Sequence, residues 1–356
     1  MFFTILAKEV LGVKENVAFN AATILSPLLF LFAFAFMVSG DVTLPVDTRP
    51  AAESSAFLQS AEQFRNPAGQ PYLDLRPAQS ATPDSGSPDR YLVDTEPTVT
   101  DDGVTGHITH VVNDVNANMT KNYANRLDGA VVHYLTTHGA PMTVSVVDAP
   151  RYPHDIPWGE SFAVSTLVFA AMLAGLLFGQ FSMTSEWENA TTTILALTPR
   201  PRVVAAGKIA GAVTKSLLAG AVLIGVIAAM YARIIPHPVH LFAGLALIYL
   251  AFSGVGMTLG IFVRSTMTAF LISLVGSLSL WVGGGGFGDL SYFGAAARLI
   301  GALNPATYGI EVVRYGYFGA ELGPYPLLWL VVGAGVTTTA SIIVFARFCH
   351  SEKVAS

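Results

Sequence analysis

The sequence predicts an α-helical polytopic membrane protein: six transmembrane helices, an external re-entrant helical hairpin before the last span, and a small α/β external domain. Three observations predict it. Of 356 residues, 52% are hydrophobic and only 12% charged, where a soluble domain carries about a quarter charged; mean hydropathy is +0.54. Apolar residues gather into runs near 19–39, 161–182, 204–232, 240–263, 266–283 and 325–346, each close to the ~20 residues that cross hydrocarbon. Acidic residues concentrate in one block: 41–158 holds 15 Asp and Glu against 7 Lys and Arg, and the remainder 9 against 12.

Charge bias predicts orientation. Lys8, Lys14, Arg200, Arg202, Lys208, Arg264, Arg347 and Lys353 fall in the flanks and loops at 1–18, 183–208, 264–265 and 347–356. The opposite short loops carry Arg233, Arg298 and Arg314. Positive residues stay inside, which puts both termini in the cytoplasm and 41–158 outside. The first apolar run shows no small-residue cleavage site, so a signal-anchor span is expected.

Three regions follow. Residues 1–40 comprise an interfacial helix over Phe2–Leu11, where Lys8-Glu9 interrupts apolar residues, and the first span; a frayed cytoplasmic tail is the alternative for the first segment. Residues 41–158 form the external domain. Within it 76–90 is rich in Pro, Ser and Asp and reads as an irregular loop. Residues 104–115 and Met142–Val147 read as strands, and 117–138 places Tyr123, Leu127, Val131 and Tyr134 on one helical face. Residues 159–356 form a five-span domain with a polar cytoplasmic helix at 183–203 and a hairpin at 284–324. The hairpin's apolar pieces are too short to cross, so they fit a re-entrant turn shielded by protein or a wet cavity.

Several chemistries are excluded. With Cys349 the single cysteine, no intrachain disulfide forms. The acidic balance gives no nucleic-acid surface. His107 and His110 are three apart, but on a strand they face opposite sides, so no metal site is expected. A P-loop needs G-x-x-x-x-G-K-[ST]; Lys208 follows Gly207 but precedes Ile209, and Lys215-Ser216 follows Thr214. No Ser-His-Asp set or paired-acid site stands out, so no catalytic residue and no cofactor are assigned to this chain.

The segment Glu186-Trp187-Glu188-Asn189-Ala190-Thr191-Thr192-Thr193-Ile194-Leu195-Ala196-Leu197-Thr198-Pro199 is short, polar and caught between two spans. With Lys8-Glu9 before the first span, and Leu303-Asn304-Pro305-Ala306-Thr307-Tyr308 followed by Glu311, Arg314 and Gly319 before the last, the layout resembles the membrane subunit of ABC-2 type ABC transporters. The narrower likeness is to the subgroup with a large external domain after the first span. Two positions depart from the family pattern: Ala190 stands where glycine is usual, and Trp187 where a basic residue is common.

The resemblance implies that Glu186, Glu188, Thr191, Leu195, Thr198 and Pro199, with Lys8 and Glu9, form an ATPase-coupling element. Glu186 and Glu188 would open a coupling helix, where carboxylates suit the helix dipole and would pair with basic residues of the partner, and Pro199 would end it. Solvated acids beside a plain turn are the alternative. Asn304, Pro305, Tyr308, Glu311 and Arg314 would form an external gate; Glu311 and Arg314, three apart, equally suit an intrahelical ion pair. Lys208 is expected to snorkel to the interface. Lys215 lies deeper, as a lining of the cargo path or as an interfacial or buried, paired lysine.

The implied function is ATP-driven export of a lipid, drug-like amphiphile or other hydrophobic cargo. The implied partners are a cytoplasmic ATPase carrying ATP and Mg, a second permease copy or sister permease, membrane lipids and a periplasmic adaptor, in a bacterial inner membrane. A non-transporting sensor or scaffold with an external ligand-binding domain, and a metal-related ABC permease, stand as alternatives.

Overall fold

The computed structural model describes residues 1–12, 17–37, 43–48, 56–65, 69–77, 90–94, 98–100, 103–105, 108–112, 117–138, 158–287, 295–319 and 322–355. The chain divides into two compact units, Met1–Val38 with Ala149–Ser356, and Ser39–Asp148. In chain order the first unit begins with α1 (Phe2–Leu11) and α2 (Val17–Met37). The second unit holds β1 (Leu44–Thr48), α3 (Ala56–Gln63), β2 (Leu73–Pro77), β3 (Arg90–Asp94), β4 (Thr98–Thr100), β5 (Gly103–Thr105), β6 (Ile108–Val112) and α4 (Ala117–Thr137). The first unit resumes with α5 (Trp158–Glu188), α6 (Thr192–Ala196), α7 (Pro201–Tyr231) and α8 (Pro238–Phe262). It ends with α9 (Thr266–Gly283), α10 (Ala295–Leu303), α11 (Pro305–Phe318) and α12 (Pro326–Ala355).

In the Ser39–Asp148 unit, β1, α3 and β2 make a parallel crossover, and the sheet order is β2-β1-β3-β6. β1 pairs parallel to β2 and β3, and β3 pairs antiparallel to β6. α3 and α4 pack together over a small core of Leu44, Val46, Phe57, Leu73, Leu127 and Tyr134. Leu127, Val131 and Tyr134 share the buried side of α4 as their spacing predicts; the Tyr123 side chain lies outside the described residues. The strand expected over 104–115 is divided: β5 pairs with β4 in a separate hairpin, and β6 joins the main sheet. Arg76 and Pro77 belong to β2 rather than to the irregular loop. The remainder of that loop up to 89, His107 and the strand expected at Met142–Val147 lie outside the described residues.

Among the described residues six helices are long and apolar enough to cross a membrane: α2, α5, α7, α8, α9 and α12. α5 is the axis. Its membrane window is entirely buried, consistent with a helix apolar all round being an interior helix. α8 packs most extensively against it, and α2, α7, α9 and α11 also contact it. Several hydroxyls within the spans bond to their own helix, as Ser26 donates to Ala22 O, Thr214 to Ala210 O and Ser216 to Ala212 O, while Ser273 donates across to Gln180 of α5; hydrocarbon offers no partner.

The α5–α8 contact is set by small residues. A Cβ on Gly175 would stand 2.9 Å from Phe252 Cβ, one on Gly179 2.9 Å from Met257 N, and one on Gly260 2.7 Å from Gln180 O. Gly175 and Gly179 on α5, and Gly256 and Gly260 on α8, are each four apart and let the two backbones touch, the small-xxx-small arrangement of membrane helix pairs. Gly179→Ala is therefore expected to destabilise the body by about 1–3 kcal/mol and lower the melting temperature in detergent. Gly225→Ala, where no atom lies within 4 Å of the added Cβ, is expected to leave it unchanged.

Candidate functional site

The polar segment between the second and third spans is not a single helix over 183–203. α5 runs on through Glu188, since nothing in Ser182–Trp187 breaks it. It ends in a glycine-type cap: Ala190 N donates to Trp187 O at 3.1 Å, and Thr191 N donates to Glu186 O at 2.9 Å. This is the Schellman pattern, whose residue after the cap takes the left-handed conformation and is usually glycine. Here that residue is Ala190, at φ 53°. The departure from the family's glycine thus falls on the position with a stereochemical reason for glycine. The five-residue α6 follows, and Pro201 opens α7 at a position where its missing N–H leaves no bond unmade.

Glu186 and Glu188 therefore close α5 instead of opening the coupling helix, and they point to different partners. Glu186 is 3% exposed. Its Oε1 accepts from Lys8 Nζ at 2.8 Å and from Lys208 Nζ at 2.8 Å, and its Oε2 accepts from Thr191 Oγ1. Glu186 is thus engaged by Lys8, Lys208 and Thr191 of its own chain. Glu188 is exposed, and its Oε1 accepts from Thr266 N at 2.9 Å. A carboxylate there satisfies an orphan N–H at the positive end of α9. The dipole argument holds for Glu188, but on a different helix from the one expected.

Lys208 corrects a second expectation. It does not snorkel. At 1% exposure its Nζ donates to Glu9 Oε1 at 2.8 Å, to Glu186 Oε1 at 2.8 Å and to Ser182 O at 2.7 Å. All three ammonium protons are used. Lys215, one turn further into α7 than Gly211, is also buried, with Nζ 3.8 Å from Glu9 Oε2 and 5.3 Å from the Phe178 ring centroid. The buried, paired reading of Lys215 is the one observed. Three lysines and two glutamates thus tie α1, α5 and α7 together. α1 reaches them because α7 is cut away beneath it: a Cβ on Gly207 would stand 3.0 Å from Ile5 Cγ2, and one on Gly211 3.1 Å from Glu9 Cγ.

The rest of the segment divides by side. Leu195 packs inward on the cluster of Met183, Val204, Ile209, Met257, Ile261 and Phe345, and α6 lies against α12. Thr198 is half-buried and Pro199 exposed. Ile194 is 69% and Leu197 64% exposed. Sequence reasoning passed over these two; their three-residue spacing, out of phase with Leu195, was the available signal. Trp187, the other departure, meets Phe348 of α12 edge-on at 5.6 Å and lies under the Arg264 guanidinium at 4.4 Å. It joins the end of α5 to α12 and to the α8–α9 connection.

At the far end of α5, Arg233 donates to both carboxylate oxygens of buried Glu160, at 2.8 and 3.1 Å, a pair the sequence did not suggest. The region of the expected hairpin holds α10 and α11. Asn304 caps α11 by accepting from Ala306 N at 3.0 Å, and ties the corner to α9 by donating to Leu280 O at 2.6 Å. Pro305 occupies the first helical position. Tyr308 donates to Ala302 O at 2.6 Å and stacks near Trp329. Arg314 donates to Gly285 O at 3.4 Å, and Glu311 is exposed. Asn304 and Pro305 thus build the α10–α11 corner.

The family model of ABC-2 family transporter proteins matches residues 18–343. The chain belongs to that family. No curated protein and no solved structure matches it. As an ABC-2 transporter protein it is the membrane permease of an ABC transporter, a multi-pass transport subunit of a kind that works with an ATPase partner. The α5–α7 segment and the capped α10–α11 corner both lie within the stretch that the ABC-2 model matches.

Two predictions test the site. Glu186→Ala removes an acceptor from a buried ammonium and is expected to destabilise the protein by about 3 kcal/mol. Glu186→Ala combined with Lys208→Met is expected to cost less than the sum of the two single changes in a thermal double-mutant cycle. Ala190→Gly is expected to stabilise it by about 1 kcal/mol by relieving the left-handed alanine, read as a raised melting temperature.

Proposed function

We propose that α6 and α1 are the docking element for a separate cytoplasmic ATPase, and that ATP and Mg on that partner drive movement of a lipid, drug-like amphiphile or other hydrophobic cargo outward. The observation that carries this reading is the division of α6. Leu195, and Thr191 acting on Glu186, bind the segment to the membrane body, while Ile194 and Leu197 project from it. A five-residue helix that, with its C-cap Leu197, sets two large apolar side chains in water has no reason to persist alone. Covering each would contribute about 2 kcal/mol to an interface.

Force applied there has a defined route. α6 is held to α5 through Glu186 and to α12 through its packing. α5 in turn holds α9 through Glu188 and α1 and α7 through the lysines. A push on α6 therefore moves the end of the central helix and what is bonded to it. α1, with Phe3 and Leu11 exposed, would border the same partner or lie on the inner membrane surface. Two permease copies, or this chain and a sister permease, would enclose the cargo path. Residues 41–158 would stand outside the membrane of a bacterial cell, where they would receive cargo or meet an adaptor. Lys8, Glu9 and Lys215 act in this scheme as the tie between α1 and the body, and α10–α11, with Glu311 and Arg314, as the outer gate.

Co-purification with the ATPase tests the docking assignment. Ile194→Asp with Leu197→Asp alters exposed side chains only, so the permease is expected to keep its melting temperature while ATPase association weakens at least about tenfold. Undiminished association and export by this variant would refute the assignment.

A further inference from the structure

Between the start of α7 and the last turns of α12 lies an open cavity of about 470 Å³, lined by Arg202, Ile343, Ala346, Arg347, His350 and Ser351. The volume is within the range of small-molecule sites. Its lining is divided along the α12 axis. Ile343 and Ala346 come first along α12; Arg347, His350 and Ser351 follow, so His350 stands about 10 Å beyond Ile343 at 1.5 Å per residue. Arg202 faces them from the first turn of α7. Arg200, the residue before that helix, makes no side-chain cap, so the positive end of the helix dipole adds to the same field. Glu352, the one acid in α12, does not line the cavity. Nothing in the ion cluster of Lys208 uses these residues, and nothing in the docking of α6 requires them.

The geometry points to a binding site for the phosphodiester of an anionic phospholipid, with Arg202 and Arg347 on the phosphate, His350 and Ser351 beside it, and an acyl chain running along Ile343 and Ala346. The apolar half distinguishes a lipid from a free anion: a soluble phosphate leaves Ile343, 43% exposed, uncovered, whereas an acyl chain covers it. Two guanidinium groups facing one pocket provide the bidentate donors that a phosphate accepts best, and each basic side chain near an anionic surface contributes about 1 kcal/mol to its attraction. The inference rests on the six-helix membrane body and goes beyond the docking of the ATPase. Its consequence is a permease whose α7–α12 contact is completed by lipid, and whose stability therefore depends on the charge of the leaflet it sits in.

Native mass spectrometry of the full chain in detergent, titrated with dioctanoyl phosphatidylglycerol, tests it. The wild type is expected to retain the lipid, Arg202→Gln with Arg347→Gln to bind it about tenfold or more weakly, and Arg202→Lys with Arg347→Lys to keep most of the affinity. Unchanged binding by the glutamine pair would overturn the site. Equal retention of dioctanoyl phosphatidylcholine would overturn the charge recognition, and displacement by equimolar inorganic phosphate would overturn the lipid in favour of a free anion. Loss of ATPase association with unchanged lipid binding in the glutamine pair would reassign the surface to the partner protein.

Discussion

The Lys208 ammonium is withdrawn from water almost completely, and an unpaired charge in such a place costs several kcal/mol. The surrounding chain must therefore bring acceptors to it. They come from Glu9, Glu186 and the Ser182 carbonyl, supplied by α1 and by the last turns of α5. Most of the local architecture answers this one requirement. α1 must lie close enough to offer Glu9, which the bare backbone at Gly207 and Gly211 permits. α5 must continue as helix to Glu186, and the chain must then reverse at once, which puts Ala190 into a left-handed turn. Lys8, 64% exposed in its side chain, adds to the network from the wet side, where an ion pair contributes little by itself.

α6 is consequently a suspended element, not a rigid strut. Its helix is too short to be stable alone, and its shape is borrowed from Leu195 beneath it and from the Thr191–Glu186 bond at its start. Glu186 is taken up by Lys8, Lys208 and Thr191, while Ile194 and Leu197 stand exposed. This separation explains how one short segment can hold its place and still present a surface. Glu188 and Trp187 extend the same linkage sideways, to the start of α9 and to α12.

The spans were legible because their signal is local: twenty apolar residues in a row leave few alternatives. The short elements α10 and α11 and the buried stripe of α4 were legible for a similar reason, in breaks and periodicity that a few neighbouring residues set. The site was legible only in outline. Lys8, Glu9 and the 186–199 segment stood out, but Glu186 and Glu188 looked alike because they are two apart in sequence. On a helix that spacing turns their side chains about 200° from one another, and which faces inward depends on α1, α7 and α9, all distant in the chain. Lys208 looked interfacial because its two acids lie 199 and 22 residues away. The division of 104–115 between two sheets is equally a matter of remote pairing, which alternation alone does not encode.

Glu160 and Glu186 anchor opposite ends of the same helix to arginine and lysine respectively, and no charged residue lies between them. At 1.5 Å per residue the two carboxylates are about 39 Å apart along the axis, against a hydrocarbon thickness of about 30 Å. With the helix upright in the bilayer, each ion network would sit a few ångströms beyond the acyl chains, among headgroups. At that spacing a thicker membrane would draw one network toward oil and a thinner one would strand apolar residues in water, unless the helix tilts. Acyl-chain length would then act on the same bonds that hold the central helix to α1, α7 and Arg233.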